Sequence, residues 1–140
     1  MINIIGNILD TSGYSIHTRM LDNALNQLTE VRLDCMVPNN LATQLNDQEV
    51  KMLKRETDEQ INLIITNPMH WRLHTNAKRN WAYLIWEGDR IPKSWISECL
   101  NPDIEYIMCP SSHTLKAVLN SIDSLSEEEC KMLMEKLDGF

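Results

Sequence analysis

Five short apolar runs, each closed by turn-forming residues, constrain this chain more than any other feature of its sequence. The first, Ile2-Asn3-Ile4-Ile5, is rich in β-branched residues and predicts a strand near residues 2–6. It runs into the polar loop Asp10-Thr11-Ser12-Gly13-Tyr14-Ser15. A helical pattern follows, with Ile16, Met20, Leu21, Ala24, Leu25 and Leu28 at turn-related spacings. Residues 31–37 alternate and stop at Pro38, which reads as a second strand. Residues 47–59 carry Val50, Met52 and Leu53 among many charges and predict a solvated amphipathic helix. Ile61-Asn62-Leu63-Ile64-Ile65-Thr66 is a third strand, closed by Asn67-Pro68. Residues 69–80 show no clear period. Ala82-Tyr83-Leu84-Ile85-Trp86 predicts a fourth strand, and Pro92 opens a helix from its first turn. Residues 104–109 form a fifth strand, ended by Pro110, after which Ser111-Ser112 cap a helix to about residue 120. Ser124 to Glu129 has the signature of another helix start, and Cys130, Leu133 and Leu137 continue its stripe.

Strands alternating with helices predict an α/β fold, a three-layer Rossmann-like domain with a mainly parallel sheet of about five strands. The domain is expected over residues 1–120. Residues 121–140 are expected to form an acidic helix that packs on this domain or on a partner. Such sheets bind ligands beyond the carboxyl ends of their strands, so the candidate loops are 7–15, 67–74, 86–92 and 110–113.

Composition narrows the class. The chain has 140 residues, 43% of them hydrophobic, which suits one domain with a real core. Its net charge is −7, a poor basis for nucleic-acid binding by counterion release. No stretch reaches the roughly 20 apolar residues of a membrane span. The apolar N-terminus lacks the basic region of a signal peptide. Cys35, Cys99, Cys109 and Cys130 form neither a CxxC pair nor a zinc spacing. A reduced, cytoplasmic location is the expectation, with the cysteines as small hydrophobic residues.

Several loops carry groups capable of chemistry. Loop 10–15 joins a strand to a helix N-terminus, where free N–H groups and the helix dipole favour an anion. It has one glycine and no lysine of the Walker type, so the alternative is a loop that binds nothing. His70 and His74 are spaced as a helical metal pair would be, but no third ligand accompanies them, and a hydrogen-bonded loop histidine is the alternative. No metal and no cofactor are expected. Glu87 and Asp89 follow an apolar strand directly and would face the ligand crevice. The alternative for them is a salt bridge or helix cap with Arg90 or Lys93. A phosphoreceiver domain shares the strand order but needs an aspartate where the third strand here ends in Asn67-Pro68.

Three segments in order carry a resemblance: Leu9-Asp10-Thr11-Ser12-Gly13-Tyr14-Ser15 with Arg19, Trp86-Glu87-Gly88-Asp89-Arg90-Ile91-Pro92-Lys93-Ser94-Trp95, and Cys109-Pro110-Ser111-Ser112. Over residues 1–120 the chain resembles the N-terminal, acceptor-side half of GT-B glycosyltransferases, close to glycosyltransferase family 4. The resemblance implies a nucleotide-sugar donor, a sugar or glycan acceptor and no catalytic metal. It implies catalytic positions at Glu87 and His70, and substrate-binding positions at Gly13, Tyr14, Ser15, Asp89, Arg90 and Ser111. The donor-binding half of that family lies C-terminal, and no residues here supply it.

The expected function is therefore a partial glycosyltransferase, completed by a second domain or subunit. The alternative is a non-catalytic Rossmann-like interaction or regulatory module. A third reading is a small-molecule binder that holds a phosphate on loop 10–15. Apolar surface is expected where a missing half would dock, and homo-oligomer formation is one outcome of such a surface.

Overall fold

A computed structural model gives the fold and describes residues 1–7, 13–35 and 45–137. Residues 8–12 of the first loop, 36 and 37 at the predicted end of the second strand, Pro38, and residues 138–140 lie outside this set. Strands β1 (Ile2–Gly6), β2 (Val31–Cys35), β3 (Ile61–Ile65), β4 (Arg79–Tyr83) and β5 (Tyr106–Met108) form one sheet in the order β2-β1-β3-β4-β5. Every pair in it is parallel. Helices α1 (Gly13–Leu25), α2 (Asp47–Lys54), α3 (Lys93–Cys99), α4 (Ser112–Leu119) and α5 (Glu127–Leu137), with a 3-10 helix over Pro68–His74, complete the described elements. The α/β three-layer architecture expected from the strand and helix order is the architecture observed.

The parallel register sorts the side chains into two faces. One face carries Ile4 of β1, Val31 and Leu33 of β2, and Leu63 and Ile65 of β3, covered by Leu21 and Leu25 of α1 and by Met52 and Leu53 of α2. The other carries Ile5, Ile64, Ala82 and Ile107, covered by Trp71 of the 3-10 helix, Ile96 of α3, Ala117 and Val118 of α4, and Leu133 and Leu137 of α5. Helices α1 and α2 thus share a face, although β1 to β2 and β2 to β3 run in opposite directions across the sheet. Among the described residues no helix packs on the second face of β2, where Arg32 and Asp34 stand instead of apolar residues.

A polar row crosses that second face near the start of the strands. Arg32, Asn3, Asn62 and Asn80 lie in register on β2, β1, β3 and β4. Arg32 Nη1 donates to Asn3 Oδ1 at 2.8 Å, and Asn3 Nδ2 donates to Asn62 Oδ1 at 3.1 Å. Asn62 Nδ2 reaches the His74 carbonyl and Asn80 Nδ2 the Ala77 carbonyl. Buried amides are tolerated here because each finds partners.

The fourth strand corrects its predicted bounds. It was expected over 82–86 and instead spans Arg79–Tyr83, in register with β3 from Arg79 opposite Ile61. Asn80 is buried yet satisfied, so a polar residue serves inside a strand that an apolar run does not mark. The apolar residues that follow leave the ladder, but the Leu84 N–H still donates to the Met108 carbonyl at 2.9 Å and Leu84 is fully buried. The second helix is also shorter than predicted, ending at Lys54 rather than near 59.

Helix α5 begins with a reciprocal cap. The Glu129 N–H donates to Ser126 Oγ at 3.1 Å and the Ser126 N–H to a Glu129 carboxyl oxygen at 3.0 Å. Its far end is tied down by Lys136, whose buried ammonium donates to the carbonyls of Cys99 and Asn101 at the end of α3. Cationic capping of orphan carbonyls is favourable there.

Candidate functional site

A cleft of about 510 Å³ opens at the carboxyl edge of the sheet, between the start of α1 and the segment that follows β4. Gly13, Tyr14 and His17 of α1 form one wall. Ile85, Trp86, Glu87 and Gly88 form the other, with Trp95 of α3 behind them. The position is where a parallel sheet presents its loops and helix N-termini. The walls are mainly apolar with a few polar groups, the usual chemistry of a small-molecule site.

The strand-following segment is built to hold one shape. The Trp86 and Trp95 rings meet edge to face with centroids 4.8 Å apart. Trp86 Nε1 donates to the Arg90 carbonyl at 2.6 Å. Its indole lies so close over Gly88 that a Cβ there would sit 2.7 Å from Nε1. Helix α4 clamps the same segment from outside. His113 Nε2 lies 2.9 Å from the Glu87 carbonyl and 3.1 Å from the Gly88 carbonyl. Two acceptors require that this nitrogen carry the hydrogen. Asn120 Nδ2 donates to the Asp89 carbonyl at 3.1 Å, and Ser121 Oγ accepts the Ile91 N–H at 2.7 Å.

On the α1 side, burial raises the Tyr14 phenol above its ordinary pKa, which keeps it a neutral donor. His17 meets the Tyr83 ring at 6.1 Å between centroids. Gly6 explains how α1 comes close to the sheet, since a Cβ there would lie 2.8 Å from Thr18 Oγ1. Tyr83, Ile85, Trp81, Tyr106 and Met108 are all half-buried.

The structure brings together three of the residues singled out in the sequence, Gly13, Tyr14 and Glu87. Ser15 is fully buried and does not line the cleft. Asp89 and Arg90 are exposed, and Arg90 pairs with Asp123 at 3.5 Å beside a separate depression that it shares with Lys93 and Ser121. Ser111 caps α4, its Oγ accepting the Thr114 N–H at 3.2 Å. His70 lies exposed on the 3-10 helix and away from the cleft lining. His74 is half-buried with an unpartnered Nε2, and burial lowers its pKa. Among the described residues no three metal-ligating side chains converge.

The sequence places His17 near the start of the first helix and His113 at the end of candidate loop 110–113, but gives neither a role at the site. His17 follows Gly13 by one helical turn, which was a usable signal. His113 acts on a segment 25 or more positions away, a pairing the sequence does not display. Cys99 and Cys109 are small core residues, while Cys35 and Cys130 are half-buried. Burial pushes the Cys99 thiol up to about 12 and the Cys109 thiol to about 11, so neither is a nucleophile. Among the described residues no helix is long and apolar enough to cross a membrane. Comparison with protein-family models, with curated proteins and with solved structures finds no match.

Proposed function

We propose that this chain is the acceptor-side half of a nucleotide-sugar-dependent glycosyl transfer enzyme, and that the cleft receives a sugar. One observation carries the reading: aromatic faces from Tyr14, Trp86 and Trp95 stand beside Glu87 and His17 in a single cleft at the carboxyl edge. A pyranose offers apolar C–H faces to rings and hydroxyls to a carboxylate or an imidazole. Glu87 is the group to accept the proton of an attacking acceptor hydroxyl. Transfer also needs positive charge on the leaving diphosphate. The described cleft lining holds no lysine or arginine, so a second domain or subunit has to supply it.

The test is titration of the pure chain with monosaccharides and oligosaccharides, read by tryptophan fluorescence and by saturation-transfer NMR. Weak, saturable sugar binding that is lost in Trp86→Ala supports the reading. Failure of every sugar to bind overturns it. With UDP-glucose or GDP-mannose, the chain alone is expected to release no nucleoside diphosphate, and robust transfer would refute the half-enzyme assignment.

A second reading, a non-catalytic interaction module, draws on one feature. Ile16 and Met20 are 54% and 67% exposed, one helical turn apart on α1. Exposed apolar groups in such a cluster mark contact surfaces. Light scattering distinguishes the cases, because a self-associating module becomes monomeric when Ile16 and Met20 are both replaced by serine.

A further inference from the structure

On the side of α1 that faces α2, two carboxyl groups are buried with one guanidinium. Arg19 donates to both oxygens of Glu49, Nε to Oε2 and Nη2 to Oε1, each at 2.8 Å. Glu49 Oε1 also accepts the Asn46 N–H at 3.1 Å, while Asn46 Oδ1 takes the Glu49 N–H at 2.8 Å. One carboxylate therefore starts α2 and ties it to α1. Asp22 lies three residues beyond Arg19, on the same side of the helix. It is fully buried, and neither of its oxygens has a hydrogen-bond partner. An ionised carboxylate in such a place is strongly disfavoured. The neutral form is the favoured one, and the charge of Glu49 favours it further.

Among the described residues the other charged or titratable groups around Asp22 are few. Arg55, just beyond α2, is committed to Asn26 Oδ1 at 2.9 Å and the Val31 carbonyl at 2.6 Å. Strand β2 adds Cys35 and α1 itself adds Tyr14, while β1 turns only Ile2, Ile4 and Gly6 to this face.

We propose that Asp22 and Glu49 form a proton-operated clasp between α1 and α2. It is closed while Asp22 carries its proton, and it loosens when that proton leaves to solvent and two carboxylates share one guanidinium. The cluster goes from neutral to one net negative charge. Burial first, then the charge of Glu49, push the Asp22 carboxyl up to about 7. Arg19, and the Asn23 N–H lying near without hydrogen-bond geometry, pull less strongly the other way. Burial pushes Glu49 up as well, but Arg19 and the Asn46 N–H outweigh it and leave Glu49 below its ordinary value.

The signs follow from linkage. In an opened clasp Asp22 ionises near its ordinary value of about 4. Its contribution to closure is complete below that pH and is lost as the pH climbs to about 7. Glu49 acts oppositely, losing its contribution as the pH falls through its depressed value. The clasp is tightest at about pH 4 and loosens by about tenfold per pH unit up to about pH 7.

Amide hydrogen exchange of the full chain, corrected for intrinsic rates, reads this directly between about pH 5 and pH 7. Amides of α2 and of the second half of α1 are expected to open about 50-fold more at the upper end, with the amides of α5 unchanged. In Asp22→Asn the profile is expected to be flat. Parallel profiles in the two proteins overturn the clasp, and so does an equal shift in α5, which would mean global unfolding. If Asp22→Asn does not fold, the carbon-13 titration of the Asp22 carboxyl in the unaltered protein decides. A midpoint at about 7 supports the clasp, and an ordinary one at about 4 overturns it.

Discussion

Single residues set the shape of the cleft more than their chemistry suggests. Gly88 has negative φ, so it is required for space and not for backbone freedom. Gly88→Ala is expected to push the Trp86 indole off its seat and break its bond to the Arg90 carbonyl. The cost is expected to be about 1–3 kcal/mol, read by urea unfolding, and tryptophan emission should shift as the Trp86–Trp95 contact opens. Lys136 is the other residue whose position matters beyond its side-chain class. Lys136→Met keeps the buried stem but leaves the Cys99 and Asn101 carbonyls without their donor. Loss of about 1–3 kcal/mol is expected, again from the urea midpoint.

At the scale of elements, α5 is integral to the second face. Leu133 is fully buried there, so Leu133→Ala is expected to cost about 2–5 kcal/mol. Ser126→Ala removes only the cap at the N-terminus of α5 and is expected to cost about 0.5–2 kcal/mol in thermal or chemical unfolding. A chain cut after residue 120 would expose the apolar surface that Leu133 and Leu137 now cover. The strands show what the sequence displays and what it hides. β1 and β3 are runs of β-branched residues and announce themselves. β4 begins with Arg79 and Asn80, whose acceptability depends on Glu105 across the strand pair and on turns around residues 77 and 103. Such partners are invisible to a periodicity count. The faces of the helices are equally hidden, because an amphipathic stripe states that a helix is covered and not which side of a sheet covers it.

For the molecule as a whole, the parallel order places β1 and β3 at the centre with burial on both faces. Their amides are expected to be the last to exchange with solvent, ahead of those of the edge strands β2 and β5, in native-state hydrogen exchange. The candidate site was legible in part for the same topological reason: Gly13, Tyr14 and Glu87 follow strands at the carboxyl edge, where any parallel sheet gathers its loops. The residues that fix that site come from elsewhere. The segment 86–89 that carries the cleft wall takes its form from His113, Thr114 and Asn120, all of them in or next to α4. A nascent chain therefore carries every residue of the cleft lining long before the cleft has its shape. Synthesis must proceed some 25 residues past Trp95, through Asn120, before the last wall is fastened, so ligand capture during translation begins only after α4 has left the ribosome.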